Sequence, residues 1–389
     1  MIAIVHGKIV TPEDIIEDRV LHVKDGRIQA IADDVSGADR VINAHGRYVM
    51  PGFVDIHSDS VEQLIRPRPT SHMDFELALK ECERELLLRG ITTIYHSISL
   101  YKNEFFGTSP LRTKDSVQKL SELIASIHER YHLIHHRFHL RIEIDNLEAF
   151  DIAEEMITAE RVHMISFTDH TPGQGQYKDL AVYADALTKY HGKEIDTVGL
   201  DGILAYHKLK QTLSFEQLKA LAELAHVHGI PVASHDDDTP EKLAVNRALG
   251  VDISEFPTSL DIARAARAAG FFTVVGAPNI LRGNSHAGNM SAAEAVRDGC
   301  ANALCSDYYP AAILHSIFSM HNQQGMPLCE MVAKATLGPA QAAQIDREFG
   351  SIEVGKRADL LIVDTLDGYP VITHVLVDGN PTARVEYRR

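Results

Sequence analysis

No run of about eighteen apolar residues occurs in this chain, so no membrane-spanning helix is expected. The first residues, Met1-Ile-Ala-Ile-Val-His6, lack the basic stretch and long apolar core of a secretory signal. Cysteine is scarce: Cys82, Cys300, Cys305 and Cys329 share no zinc-knuckle spacing and read as reduced thiols of a cytoplasmic protein. Positive charge is short as well. With Lys+Arg 38 against Asp+Glu 54, the formal net charge is -16, which argues against general binding to nucleic acid or to an anionic membrane. A small anionic substrate stays compatible with that charge, because a metal ion and a few local arginines reverse the sign inside a pocket. Tandem repeats and low-complexity segments are also lacking.

What is present is ordinary globular material, long enough at 389 residues for one large α/β domain and a smaller one. Residues 1–50 read as short strands broken by Gly7, Pro12 and the hairpin signal Asp25-Gly26. Residues 350–389 read the same way, with Asp359–Asp364 and His374–Asp378 rich in β-formers. These two ends are expected to pair into one small β-sandwich.

Between them, strands and helices alternate. Strands are expected at 53–57, 92–99, 138–145, 162–168, 231–235, 252–256, 272–277 and 302–306. Helices are expected near 75–89, 115–135, 147–160, 215–228, 240–248, 259–269, 291–299 and 311–323. That pattern predicts a (β/α)8 TIM-like barrel over 51–349. The interval 171–214 exceeds a normal loop and reads as a lid-like insertion.

In a barrel of this kind, chemistry sits at the C-terminal ends of the strands. Strand one ends in His57-Ser-Asp59, where residues i and i+2 share a side. Strand three carries Arg141, Glu143 and Asp145 on one face, and strand four ends in Asp169-His170. Strand five ends in Ser234-His235 followed by Asp236, Asp237 and Asp238; strand six carries Glu255; strand seven ends in Asn279; strand eight ends in Ser306-Asp307. Imidazoles and carboxylates on one rim suit one or two divalent ions, Zn²⁺, Mn²⁺ or Fe²⁺. The expected metal ligands are His57, Asp59, Glu143, His170, His235 and Asp307, with Asp307 also the catalytic proton acceptor. Glu255 serves as ligand or as orienting partner; the three aspartates after His235 cap the helix that Thr239-Pro240 opens, with Asp237 left open as a further ligand and, with Glu143, as an alternative base. Other histidines, among them His132, His135 and His136, are expected in a helix and its end with a solvated surface role.

A second group suits an anion. The glycine-punctuated stretch after strand seven offers Asn279, Arg282, Asn284, His286 and Asn289 and contains no acidic residue. Arg66 and Arg68, in an Arg-Pro-Arg-Pro run, are candidates for the same mouth.

Together these features resemble the amidohydrolase superfamily. Pro51-Gly-Phe-Val-Asp-Ile-His57 is similar to its strand-one signature, and Gly350–Asp364 to its C-terminal segment. The superfamily's His-x-His stands here as His57-Ser-Asp59, no lysine occupies strand four, and Glu255 replaces a strand-six histidine. Glu143 takes the bridging place that the resemblance implies. His57-Ser-Asp-Ser-Val-Glu62, Thr168-Asp-His-Thr-Pro-Gly-Gln-Gly-Gln-Tyr177 and Ser234-His-Asp-Asp-Asp-Thr239 resemble the diphosphatase family of the carbon–phosphorus lyase pathway of phosphonate use. That resemblance implies hydrolysis of a ribose methylphosphonate triphosphate to the 5-phosphate and pyrophosphate. The partner expected is a small anionic sugar triphosphate, not nucleic acid or membrane, with a homo-oligomer left open. The rival reading is a cyclic amide hydrolase or deaminase of the same superfamily.

Overall fold

The computed structural model describes residues 1–68, 70–100, 110–173, 209–283 and 290–388, with scattered positions between 175 and 205. Eight strands lie side by side in chain order: Phe53–Ser58, Ile91–Leu100, His135–Glu143, Met164–Thr168, Val232–His235, Ile253–Glu255, Phe272–Gly276 and Ala303–Cys305. Every neighbouring pair is parallel. The eighth strand returns to the first through a parallel bridge between Ser58 and Asp307. At that seam the Asp307 N–H donates to the His57 carbonyl at 3.0 Å, and the Asp59 N–H donates to the Asp307 carbonyl at 2.9 Å. The barrel therefore closes on three of the residues expected to ligate metal.

Helices alternate with the strands and wrap them, as βαβ crossovers require. Their starts follow the punctuation of the chain. Thr113, Ser214, Thr239 and Ser259 each accept a backbone N–H from the first helical turn, and Ser214 pairs with Gln217 in a capping box. Thr239, not Asp236, Asp237 or Asp238, is the cap of Pro240–Leu249. The apolar faces of these helices pack on the outer wall of the barrel, where Ile94, Ile98, Phe138, Leu140 and Ile142 belong to the large core. Inside, Val54, Tyr95, Met164, Ala233, Ile253, Val274 and Ala303 form one cluster, with Phe349 and Ala340 packed against it. Side chains from seven strands meet this way only along a barrel axis.

The two ends of the chain build the smaller unit. A four-stranded sheet of Arg27–Ala32, Val20–Lys24, Ile2–Val5 and Arg40–Asn43 faces a six-stranded sheet. The latter runs Asn380–Arg384, Tyr369–Val377, Leu360–Leu366, Tyr48–Pro51, Lys8–Val10 and Ile15–Ile16. Ile4, Leu21, Val23, Val49, Leu360, Ile362 and Leu376 fill the space between them. The architecture is a (β/α)8 barrel carrying a β-sandwich made from both ends.

The chain crosses from sandwich to barrel at Gly52, whose N–H donates to the Asp359 carbonyl at 2.8 Å. A Cβ on Gly52 would run into the Thr92 side chain. Gly52→Ala is therefore expected to cost about 1–3 kcal/mol, as overpacking does in a full core. Denaturant melts of the two proteins check it, and equal midpoints would show that Thr92 moves aside freely.

Two expectations fail around the third strand. The helix begun at Lys114 ends at Ile127, and the strand begins at His135, not 138. His135 and His136 are thus buried, not surface residues. His136 faces outward with Phe138, Leu140 and Ile142 in the period-two alternation of a strand. Its burial is tolerated because both ring nitrogens have partners: Glu83 Oε2 at 3.1 Å and His96 Nε2 at 2.9 Å. The lid-like insertion expected at about 171–214 falls mostly outside the described residues. No described helix is long and apolar enough to cross a membrane.

Candidate metal centre

Polar residues stand at or just past the ends of the strands that build the rim, and after three of them the backbone turns sharply. Asp236, Phe256 and Asp307 follow strands five, six and eight, and all three adopt positive φ, 53°, 54° and 54°. Each makes the same contact: the N–H of the turning residue donates to a neighbouring strand, at Glu255, Val274 and His57 respectively. For a phenylalanine this conformation is strained. The Phe256 ring is held between His57 and His235, with centroids 5.0 Å from each.

Three imidazoles of the rim each face a carboxylate. His57 Nδ1 lies 3.1 Å from Glu255 Oε1, His170 Nδ1 lies 2.9 Å from Glu143 Oε2, and His235 Nδ1 lies 2.8 Å from Asp236 Oδ2. Metal-bound histidines are held in this way, one nitrogen anchored to a carboxylate and the other turned to the ion. The rings themselves converge, with His57 to His235 centroids at 5.5 Å and His170 to His235 at 6.2 Å.

The carboxylates carry the second sign of a cation site. Asp59 Oδ1, Glu143 Oε1 and Glu255 Oε2 are buried oxygens without a hydrogen-bond partner among the described residues. Orphaned carboxylate oxygens are costly in a protein interior unless a cation faces them. Ligand atoms of His170, His235 and Asp236 lie within 4.8 Å of one another, as do those of His57, His139 and Glu255. His139 is the weaker donor of the two sets. Its Nδ1 is engaged by the Ile56 carbonyl at 3.0 Å and its Nε2 by Ser166 Oγ at 2.9 Å. The donor set of imidazoles and carboxylates fits divalent transition metals.

Electrostatics follow from this crowding. Burial, with the charges of Arg141 and His235, pushes His57 well below the usual imidazole range and keeps the ring neutral for ligation. Burial works to raise Glu143, but His170 and Arg141 outweigh it and hold the acid at about 2. Asp307 is raised to about 7, first by burial and then by the charge of Asp59.

A model of the amidohydrolase family matches residues 48–385. The chain belongs to the amidohydrolase family. It is a metal-dependent hydrolase. The α-D-ribose 1-methylphosphonate 5-triphosphate diphosphatase of Escherichia coli (strain K12) is 31% identical to it over 370 residues, covering 92% of this chain and 94% of the relative. An imidazolonepropionase of Symbiobacterium thermophilum is 25% identical over 410 residues, covering 93% and 87%. The N-acetylglucosamine-6-phosphate deacetylase of Pasteurella multocida superposes with a TM-score of 0.65 over 97% of this chain and 98% of that one. At 13% identity that likeness is one of fold.

In this amidohydrolase the six expected ligands all stand at the same rim, His57 and His235 buried and Asp59, His170 and Asp307 partly so. Arg141, on one strand face with Glu143 but not among the expected ligands or anion-binding residues, is buried among these groups, with one guanidinium nitrogen 3.6 Å from Asp59 Oδ1 and Nε orphaned. The spacing His139-x-Arg141-x-Glu143 on one strand face was the available signal. Arg112 is a further addition, joined to Glu62 at 3.0 Å and close enough to Asp59 and Glu143 to feel their charge. Asp237 is not a ligand or a cap: it is fully buried and accepts from Ser234, Ser254 and Asn246.

The anion group is corrected in part. Asn279 does not end strand seven, which stops at Gly276; it sits in the short helix Ala277–Arg282. Pro278 and the Gly283 cap close that turn into helix where a loop was expected. The side chain still faces the rim. A Cβ on Gly276 would lie 3.6 Å from Asn279 Nδ2 and 3.7 Å from Asp307 Oδ2. Arg282 is exposed and reaches Tyr308 Oη at 3.3 Å, next to Asp307. Asn284, His286 and Asn289 lie outside the described residues. Arg66 follows the helix Ser60–Ile65 as its C-cap, and Arg68 is exposed and bridged to Ser71.

Proposed function

We propose that this amidohydrolase cleaves a phosphoanhydride bond of an anionic sugar triphosphate. The substrate class is α-D-ribose 1-methylphosphonate 5-triphosphate, cut to the 5-phosphate and pyrophosphate. The observation that carries the reading is the cationic lining of the rim. In a chain of net charge -16, Arg141 is buried beside Asp59, Arg112 stands near Glu143, and Arg282 reaches the residue after Asp307. Phosphoryl oxygens match the orphaned Nε of Arg141 and the exposed guanidinium of Arg282, whereas a neutral cyclic amide brings no charge for them to offset. The likeness to the diphosphatase over nearly the whole of both chains supports the same choice.

His57, Asp59, Glu143, His170, His235 and Asp307 would hold one or two divalent ions, Zn²⁺, Mn²⁺ or Fe²⁺. Such ions, when bound, supply Lewis acidity toward water and toward phosphoryl oxygen. The protein's own groups do the rest. Asp307 accepts the proton of the attacking water, the bond from the α-phosphorus to the bridging oxygen breaks, and pyrophosphate leaves. Arg141, Asn279 and Arg282 offset the charge on the oxygens.

The likeness to imidazolonepropionases supports a second reading, cyclic amide hydrolysis. Incubating metal-loaded protein with the sugar triphosphate and, separately, with imidazolonepropionate separates the two. Pyrophosphate release with no ring opening is expected; ring opening without pyrophosphate would overturn the diphosphatase reading.

Arg282→Ala tests the anion contacts. The loss of one charge-assisted contact is worth about 1.5–3 kcal/mol, so KM for the triphosphate should rise on the order of ten- to a hundredfold with metal content unchanged. An unchanged KM would remove Arg282 from the substrate site.

A further inference from the structure

A third group of metal-type donors lies at the opposite end of the barrel, where the sandwich meets it. His135 is the first residue of the third strand, Asp359 precedes the strand Leu360–Leu366, and Asp378 follows the strand Tyr369–Val377. One ligand atom from each lies within 4.8 Å of the others. We propose that these three side chains form a divalent transition-metal site that pins the barrel floor to the β-sandwich.

The oxygens are sorted as a metal site requires. Asp359 Oδ1 accepts the Asp378 N–H at 2.8 Å, and Asp378 Oδ1 accepts from Arg357 at 2.7 Å. Each carboxylate thus spends one oxygen on the protein. The other oxygens turn to the imidazole: Asp359 Oδ2 stands 3.1 Å and Asp378 Oδ2 3.8 Å from His135 Nε2. The Asp359 side chain is more than nine-tenths buried and that of His135 nearly as much. At 3.1 Å they are within reach of a hydrogen bond, yet both His135 Nε2 and Asp359 Oδ2 lack one because the alignment is poor. Lone pairs that approach closely without facing each other are what two ligands on one ion show. With metal–nitrogen and metal–oxygen bonds of about 2.0–2.2 Å, adjacent ligand atoms fall about 3–3.5 Å apart.

The surroundings hold the donors still. The His135 ring packs edge-on against Phe349 at 5.1 Å between centroids, and the Arg357 guanidinium lies over the same ring at 5.4 Å. Arg357 also binds Glu348, which in turn binds Arg27, so the guanidinium is fixed from both sides. Asp378 is one-third exposed, which gives an ion a way in and leaves room for water as a further ligand. One imidazole and two carboxylates suit Zn²⁺ or Co²⁺ better than Ca²⁺ or Mg²⁺.

The experiment counts bound Zn²⁺ by elemental analysis after equilibration against micromolar Zn²⁺ and gel filtration. Wild-type protein is expected to hold one equivalent more than His135→Gln. A variant stripped of rim ligands, His57→Ala with Asp307→Ala, is expected to keep that equivalent. Equal zinc in wild type and a folded His135→Gln would overturn the site. Should His135→Gln not fold, Asp378→Asn decides, because its side chain is partly exposed and nearly isosteric. Zn²⁺ affinity at one site is expected to fall at least tenfold in it, and an unchanged zinc isotherm would overturn the proposal.

Discussion

Asp307→Asn is expected to keep its fold and its metal and to lose turnover by roughly 10²–10⁴, the usual worth of a positioned proton acceptor. The substitution is a clean one for this position. Asparagine tolerates the left-handed backbone that Asp307 adopts at φ 54°, and the N–H that closes the barrel on His57 is retained. Proton acceptance is lost together with the negative charge that Asp307 offers a metal, while the other five ligands remain to hold the ion. The carboxylate stands where such a group is needed, beside Asn279 and across from Asp59, with burial and the Asp59 charge raising it to about 7. Turnover and metal content measured on the same preparation check it. Near-wild-type turnover would move the role to Glu143. Asp237 is not the alternative, since Ser234, Ser254 and Asn246 already saturate its carboxylate.

Chelation is expected to abolish activity and to lower the melting temperature, with both restored by Zn²⁺, Mn²⁺ or Fe²⁺. The reason is the set of buried oxygens on Asp59, Glu143 and Glu255 that no described donor satisfies. Arg141 and His170 offset this charge only in part, so removing a metal ion leaves buried carboxylate oxygens short of partners in a site that water reaches poorly. An ion present at a hundred times its dissociation constant stabilises the folded state by about 2.7 kcal/mol. Thermal melts with and without chelator measure that directly, and Glu143→Gln should reduce metal content along with it. Less than about half an equivalent of metal, with chelator-insensitive turnover, would end the metal-centre reading.

Much of this molecule is legible in one dimension. Strands one to eight and most of their helices follow from alternating apolar segments and from caps such as Ser214, Thr239 and Ser259, because hydrophobic period and capping are local properties. The rim residues His57, His170, His235 and Asp307 are legible too, since polar side chains at the ends of apolar strands have no local reason to be there. The boundary near 127–135 is not legible, because His135 and His136 become buried only when Glu83 and His96 arrive from elsewhere to bond them. The short helix that carries Asn279 has local signals in Pro278 and Gly283, and a tertiary contact fixes where it sits: the Ala277 carbonyl accepts from Ser316.

The sequence alone determines that this chain alternates strands and helices between two β-rich ends, and that metal-type donors end several of its strands. Those facts depend on neighbours a few residues apart. Only the tertiary structure decides which donors meet. Glu255 reaches His57 from a position 198 residues away, Arg141 turns inward to Asp59, and Asp307 closes the barrel against strand one. His135 meets Asp359 and Asp378 only once the C-terminal strands dock beneath the barrel. Contacts of that range are set by barrel closure and the packing of the sandwich, and no local pattern encodes them.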